Sequence, residues 1–250
     1  MSRLIWAFTF LTRLPLPNVE LKSVQERSQA AALFPLVGLV LGGVLAGVTW
    51  LAVRVFPPVT VSVLTLAAWV LLTGGLHLDG LMDTADGLLS GKADRESILR
   101  IMKDSRLGSM GAITLFLVLF LKAGFITALL PGRFLIPALV LAPVLGRWAM
   151  VLAMVFYPYA RVEGGMGQVF AERTGSRELV IALATTGVAA WLVLGWTGLL
   201  VSGGASLVGG LGAVLVARRL GGLTGDVYGA INEIVEVATL FFLALLSALS

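Results

Sequence analysis

Long runs of apolar residues follow one another along this chain, and short stretches between them contain most of the charged residues. Hydrophobic residues make up 58% of the 250-residue sequence, charged residues make up 13%, and the mean hydropathy is +0.98. A water-soluble domain has about 45–50% apolar and about 25% charged residues. A core of this length cannot bury so much apolar surface from water, so the sequence predicts an all-α bundle of membrane helices.

The apolar runs predict about seven transmembrane helices, because about 20 mostly apolar residues are needed to cross a bilayer. Before them, residues 3–14 mix aromatic residues with arginines and predict an interfacial helix that ends at Pro15 and Pro17. No linker is visible, so residues 1–250 are expected to form a single membrane-embedded domain. The predicted spans are residues 31–53, 59–76, 107–130, 134–156, 179–200, 203–217 and 234–249.

Most of the 18 Lys and Arg residues lie in segments that seven spans would leave on one side of the membrane. The positive-inside rule therefore predicts a cytoplasmic N-terminus and an external C-terminus, and the acidic residues fall on the same cytoplasmic side. This topology explains the net charge of +4, so no nucleic-acid partner is expected. The chain has no cysteine, which excludes disulfides and thiolate-bound metals.

Three aspartates, Asp79, Asp83 and Asp86, follow the second predicted span at spacings of i, i+4 and i+7. On an α-helix this spacing puts them on one face. Like charges on one face repel each other, and a divalent cation would relieve that repulsion. Mg²⁺ usually takes one or two carboxylates together with substrate phosphates. The pattern therefore predicts a site for Mg²⁺ and phosphate, and a solvated acidic face is the alternative.

Three other polar residues lie near or inside the predicted spans. His77, the only histidine, precedes the aspartates and could be a general base, a phosphate donor or a hydrogen-bonded interface residue. Arg147 lies inside the fourth span, where an arginine normally faces a polar cavity or a phosphate, unless it snorkels to the interface. Lys122 lies near the middle of the third span and could pair with an acid.

Residues 102–111 form a second polar group, in which cations, a hydroxyl and an acid precede the third span. The free N–H groups at the start of that helix, together with the cations, would suit a phosphate or nucleotide. A basic membrane anchor with a helix cap is the alternative reading. The polar members of the group are Lys103, Asp104, Ser105 and Arg106.

A third polar group, residues 221–236, leads into the last span. Asp226 and Glu233 are seven residues apart and therefore share a helix face, and Glu236 follows one turn later. Acids at the end of a membrane helix are costly and usually functional. The group also echoes the first one, because each begins with Gly-Gly-Leu and carries acids at matching distances.

Taken together, these segments resemble the cobalamin synthase family, whose members are adenosylcobinamide-GDP ribazoletransferases. The resemblance rests on Phe-Leu-Thr-Arg-Leu-Pro-Leu-Pro at 10–17, the His-x-Asp-Gly-x-x-Asp-x-x-Asp-Gly block at 77–87, and residues 103–111 and 222–236. It implies a prokaryotic cytoplasmic-membrane enzyme whose active site faces the cytoplasm. It also implies that adenosylcobinamide-GDP and α-ribazole, or its 5′-phosphate, react with Mg²⁺ as cofactor to give adenosylcobalamin, or its 5′-phosphate, and GMP.

The residue pattern and the reaction of the family together predict roles for the polar residues and a set of partners. The expected metal ligands are Asp79, Asp83, Asp86, Asp226 and Glu233. The expected catalytic residues are Asp86, His77 and Asp104. The expected substrate-binding residues are Lys103, Ser105, Arg106, Arg147 and Asn232. The expected partners are the corrinoid and nucleoside substrates and membrane lipids, while a homo-oligomer and association with other nucleotide-loop assembly enzymes stay open.

Two other classes of membrane protein share some of these features. CDP-alcohol phosphatidyltransferases carry a similar aspartate signature, but its two spacings overlap here in reversed order, and Ser90-Gly91 stands where that family has Ala-Arg. An ion-coupled transporter would also contain intramembrane acids, whereas the acids here lie at one membrane face. Release of GMP would distinguish the synthase from the transporter.

Overall fold

The computed structural model describes residues 1–17, 19–21, 23–161 and 166–250. Within these ranges the chain is helical, with no β-sheet and one isolated bridge between Tyr159 and Leu223. The all-α fold class is therefore confirmed. The helices are α1 (Ser2–Leu11), α2 (Val24–Ala30), α3 (Phe34–Ala52), α4 (Pro58–Thr73), α5 (Leu76–Leu88), α6 (Arg95–Ile101), α7 (Ser109–Leu129), α8 (Leu135–Phe156), α9 (Met166–Arg173), α10 (Ser176–Leu220) and α11 (Gly225–Leu249).

Five helical stretches of the described chain are long and apolar enough to cross a bilayer. They are Val24–Ala52, which runs from α2 into α3, and the helices α7, α8, α10 and α11. The helices α4 and α5 would add a sixth as one broken span, although they meet at an angle of 89°. A multi-pass membrane bundle is thus confirmed, whereas the count of seven spans, their orientation and the single domain stay predictions.

The first helix, α1, is ten residues long and too short to cross a bilayer. It buries Ala7 and Leu11 against the rest of the protein. The sequence predicted that this helix ends at the prolines, but in the structure it ends at Leu11. The reason is local, because Thr12 adopts an extended backbone and its hydroxyl donates a hydrogen bond of 2.7 Å to the carbonyl oxygen of Phe8.

The long helix α10 consists of two helical segments that fold back on each other at Gly195. Gly195 has φ 58° and ψ −135°, a conformation open to glycine but strained for other residues. A methyl group on Gly198 would overlap the carbonyl oxygen of Ala190, so these two residues lie side by side. In a straight helix, two residues eight positions apart would be separated by about 12 Å. The predicted break at 201–202 was therefore wrong, because the glycines at 203 and 204 lie within the helix and Gly195 makes the turn.

The Gly74-Gly75 pair separates α4 from α5, and this is where the chain bends. Both glycines have positive φ angles, 63° and 70°, so α4 ends at Thr73, before the predicted limit of 76. The bend directs α5 against α11, where the two backbones approach closely at a pair of glycines. A methyl group on Gly80 would meet the backbone of Asp226 at 2.7 Å, and one on Gly229 would meet the backbone of His77 at 3.2 Å. Small residues therefore set the α5–α11 contact.

A buried ion network joins α7, α8 and α11 inside the bundle. Lys122 Nζ donates to Glu233 Oε2 at 2.6 Å and to Glu236 Oε2 at 2.5 Å, and Arg147 pairs with the other oxygen of Glu236. None of these four side chains is more than 6% exposed. The two cations balance the two carboxylates, and that balance makes their burial tolerable.

We expect Lys122→Met to destabilise the fold by about 3–5 kcal/mol, because it leaves two buried carboxylates with one cation. The effect can be measured as a lower thermal unfolding midpoint of the protein purified in detergent. Lys92→Met, in the exposed segment before α6, is the matched control and should leave the midpoint unchanged. Equal midpoints for the two variants would show that the network contributes nothing to stability.

Candidate functional site

The three aspartates of the 77–87 block lie on α5, as their spacing predicted. Asp79 is exposed, while Asp83 and Asp86 are partly buried. The positive-φ Gly75 precedes the helix and places Asp79 in its first turn, where the helix dipole favours a carboxylate. The structure thus presents the three side chains along one helix, at different depths in the protein.

Asp226 joins Asp79 and Asp83 at the α5–α11 contact. It lies in the first turn of α11, whose start is capped by the Thr224 hydroxyl, which accepts a hydrogen bond from Val227 N at 3.3 Å. Repulsion from the carboxylates of Asp226 and Asp79 acts on Asp83, while Arg161 attracts it. Asp79 and Asp226 line the same cavity, and Asp83 lies one helical turn after Asp79. We call these three carboxylates the acidic group.

Arg161 is the cation of this site, and the sequence analysis used it only as evidence for topology. Its guanidinium donates to Asp226 Oδ2 at 2.6 Å and to the carbonyl oxygen of Met102 at 3.5 Å. Its Nε is buried without a hydrogen-bond partner among the described residues. No sequence signal singles out Arg161, because its position depends on the pairing of Pro158 and Ala160 with Leu223 across the ends of α8 and α10.

The acidic group can supply only some of the ligands of a divalent cation. Within the described residues, no three His, Asp or Glu side chains are close enough together to hold a metal ion by themselves. Mg²⁺, however, usually takes only one or two protein carboxylates and completes its octahedron with water and substrate phosphates. Asp83 and Asp226, which repel each other, fit that smaller requirement.

Asp86, predicted as a metal ligand or base, binds a helix end in the structure. Its two carboxylate oxygens accept hydrogen bonds from Gly108 N at 2.9 Å and Gly111 N at 2.8 Å, at the start of α7. A methyl group on either glycine would overlap the carboxylate. The free N–H groups that were expected to receive a phosphate there are therefore partly occupied by Asp86.

The predicted phosphate-binding loop between α6 and α7 is exposed and lies beside the acidic group, because Arg161 bonds to Met102 at its start. Arg106 pairs with Asp104 at 2.6 Å within the loop. Hydrogen bonds from the Arg106 side chain and backbone hold the pKa of Asp104 at about 2, so this predicted catalytic acid stays ionised. Lys103 and Ser105 are exposed on the same loop.

The remaining predicted site residues lie in the interior and not at the acidic group. Glu233 and Arg147 belong to the buried ion network, and Asn232 donates to Glu236 at 3.0 Å. His77 connects the two regions, because its Nδ1 lies 3.4 Å from Arg147 Nη2 while its ring also lines a surface cavity. Glu233 is therefore placed with Lys122, away from the position expected of a metal ligand.

The cavity beside the acidic group has a volume of about 240 Å³ and opens between α1, α5, α8, α9 and α11. Its polar lining comes from His77, Asp79, Asp226 and Tyr228. Its apolar walls were not predicted from the sequence, since they come mainly from α1, α8 and α9, and α1 is distant from the other two along the chain. They include Phe10, Met150, Met154, Met166 and Phe170.

The chain is similar to known proteins over nearly its full length. Residues 3–244 match the family described as cobalamin-5-phosphate synthase. The chain is 41% identical to the adenosylcobinamide-GDP ribazoletransferase of Desulforamulus reducens over 98% of this chain and 96% of that protein. It is 44% identical to that of Roseiflexus sp. over 96% and 88%, and 42% identical to that of Pseudomonas savastanoi pv. phaseolicola over 96% and 98%. No solved structure matches this chain. The chain belongs to the cobalamin-5-phosphate synthase family.

Proposed function

We propose that this membrane enzyme joins adenosylcobinamide-GDP to α-ribazole, or to α-ribazole 5′-phosphate, and releases GMP. The observation that carries this proposal is the acidic group at the α5–α11 contact, with Arg161 and the basic 103–106 loop beside it. Carboxylates for a metal ion next to cations for phosphate are what phosphoryl transfer requires. The names of the relatives give the substrates, and the family membership favours this reading over the phosphatidyltransferase and the transporter.

The reaction needs one bond made and one broken at phosphorus. A ribose hydroxyl oxygen of the ribazole attacks the phosphorus that is attached to cobinamide. The bond from that phosphorus to the bridging oxygen breaks, and GMP leaves with both electrons of the bond. The hydroxyl proton passes to a carboxylate, for which Asp79 is best placed, because it is exposed and lines the cavity.

The other residues position the diphosphate and compensate its charge. Asp83 and Asp226 would hold Mg²⁺, which, when bound, supplies positive charge to the phosphate oxygens. Arg161 has an unpartnered Nε and lies against Asp226, so it can donate to a phosphate oxygen as well. Lys103 and Arg106 extend this positive charge along the exposed loop.

We also propose that the acidic group faces the cytoplasm of a prokaryotic cell, with the N-terminus on that side. The support is the distribution of basic residues, which is denser in the loops at the acidic-group end of the helices. The soluble substrates would then reach the site from the cytoplasm, and the membrane would hold the enzyme beside them.

Asp83→Asn should lower the rate of GMP release at least about 100-fold, because it removes a carboxylate needed for Mg²⁺ and phosphate charge. The measurement is GMP release by the purified protein in detergent with Mg²⁺, adenosylcobinamide-GDP and α-ribazole. A titration with Mg²⁺ should also show that the variant needs a higher concentration for half-maximal rate.

Asp94→Asn is the control for this test. Asp94 caps the start of α6 through Ser97 N at 2.7 Å, and asparagine caps a helix equally well. The control should therefore keep its rate and its Mg²⁺ dependence. Full activity of Asp83→Asn would remove the acidic group from the mechanism, and GMP release that does not depend on Mg²⁺ would remove the metal ion.

Arg161→Met should lower the rate of GMP release about 10–100-fold, the effect expected when a charged hydrogen bond to phosphate is lost. Arg161→Lys keeps the charge but not the planar fork, so it should recover part of the loss. Arg54→Met is the control, because Arg54 packs on Trp50 in the segment between α3 and α4. If Arg161→Met were as active as this control, Arg161 would serve only the packing of the loop.

A further inference from the structure

Two buried polar atoms in the cavity beside the acidic group have no partner. His77 Nε2 and Tyr228 Oη lack hydrogen-bond partners among the described residues, and the two residues are only 2% and 1% exposed. Both residues line the cavity. A buried polar atom without a partner destabilises the folded protein by about 1–3 kcal/mol. Such an atom at a cavity wall therefore points to a ligand that forms the missing hydrogen bond.

The chemistry of His77 Nε2 follows from its neighbour. An arginine guanidinium can only donate hydrogen bonds. Because Arg147 Nη2 faces His77 Nδ1 at 3.4 Å, Nδ1 must be the acceptor, and a neutral imidazole then carries its proton on Nε2. His77 therefore presents a hydrogen-bond donor to the cavity, which suits an acceptor on the ligand and not the role of general base.

The walls of the cavity suit a flat, mostly apolar ring. The rings of Phe10 and Phe170 lie 5.6 Å apart and are tilted, and three methionines and Leu76 also line the cavity. Methionine sulfur and aromatic side chains pack well against aromatic ligands. A volume of about 240 Å³ is smaller than the roughly 300–1,000 Å³ of pockets that enclose drug-sized ligands, so a corrinoid cannot enter it.

We propose that this cavity binds the aromatic base of the nucleoside acceptor, with His77 Nε2–H donating to its free ring nitrogen and Tyr228 Oη bonding to the same nucleoside. The proposal rests on the proposed function and assigns one substrate of it to a place. A benzimidazole nucleoside has one ring nitrogen without a sugar, and this nitrogen is an acceptor. Guanine has several further polar edge atoms, and the phenylalanine and methionine side chains, between which we place the base, would leave those atoms unpaired.

The position of the cavity explains how binding would orient the substrate. Asp79 and Asp226 belong to the acidic group and also line the cavity. A base held among the phenylalanines and methionines would leave its ribose next to these carboxylates. The attacking hydroxyl would thus be brought to the carboxylate that takes its proton.

The binding test uses the full chain in detergent and isothermal titration calorimetry with α-ribazole, without Mg²⁺ or corrinoid. Tyr228→Phe should weaken α-ribazole binding about 3–10-fold, the usual effect of one neutral hydrogen bond. The variant should still fold, because Tyr228 Oη bonds to nothing in the described part of the protein. Tyr157→Phe, at the end of α8 and outside the cavity lining, is the control and should bind as the wild type does.

A second ligand tests His77 without any mutation. The matching indole riboside has a C–H group in place of the acceptor nitrogen, and it should bind the wild type about 3–10-fold more weakly than α-ribazole. GMP should not compete with α-ribazole. Equal binding of the two ribosides, competition by GMP, or a change in Tyr228→Phe only in the KM for adenosylcobinamide-GDP would each overturn the proposal.

The two proposals fail in different ways. If wild-type protein releases GMP while Tyr228→Phe and the indole exchange have no effect, the base lies elsewhere and the proposed function stands. If α-ribazole binds with the expected preferences but no GMP appears with Mg²⁺ and adenosylcobinamide-GDP, the cavity assignment stands and the transfer reaction is wrong.

Discussion

The approach of α5 and α11 at Gly80 and Gly229 is the contact on which the site depends. A side chain on Gly80 would overlap the Asp226 backbone, and one on Gly229 would push the His77 backbone away by a few tenths of an ångström. The result of this close approach is that carboxylates from two helices, far apart in sequence, repel each other at the surface of a membrane bundle. A protein tolerates such repulsion where a cation or a charged substrate offsets it, so the contact costs stability in the free enzyme and serves binding.

In the interior of the bundle, by contrast, the buried charges are balanced by each other. Lys122 and Arg147 balance Glu233 and Glu236 within the bundle, and the network needs nothing from outside. Arg147 also reaches His77, so the network sets the orientation of a side chain that faces the cavity. The helix α11 contributes carboxylates to both groups, but only the buried network has cations that balance its carboxylates.

Helical periodicity predicted the direction of these side chains but not their depth. Asp79 and Asp86, like Asp226 and Glu233, are seven residues apart and share a helix face, yet seven residues advance about 10.5 Å along the axis. Over that distance Asp86 reaches the start of α7 and Glu233 reaches Lys122. The all-α membrane fold, the aspartate helix and the pairing of Lys122 with an acid could be predicted, because local spacing and hydropathy determine them.

Other features depend on which segments meet in space, and no single stretch of sequence reveals them. Arg161 reaches Asp226 only because the chain after α8 runs beside the chain before α11. The cavity walls combine α1 with α8 and α9, which lie far from it along the chain, so their aromatic and methionine residues look like ordinary core residues in the sequence. The same holds for Tyr228, whose unpaired hydroxyl is visible only in the packed structure.

The turn at Gly195 has a consequence far from where it lies. By reversing α10, it returns the chain to the end of the bundle from which α10 started, so that Leu223 can meet Pro158 and Ala160. A side chain at 195 would touch no neighbour, and its cost would be purely conformational, of order 1–3 kcal/mol. The backbone conformation of Gly195 therefore determines the direction in which α11 crosses the membrane, and with it the side of the membrane that Asp226 faces. Gly195 itself takes no part in the chemistry.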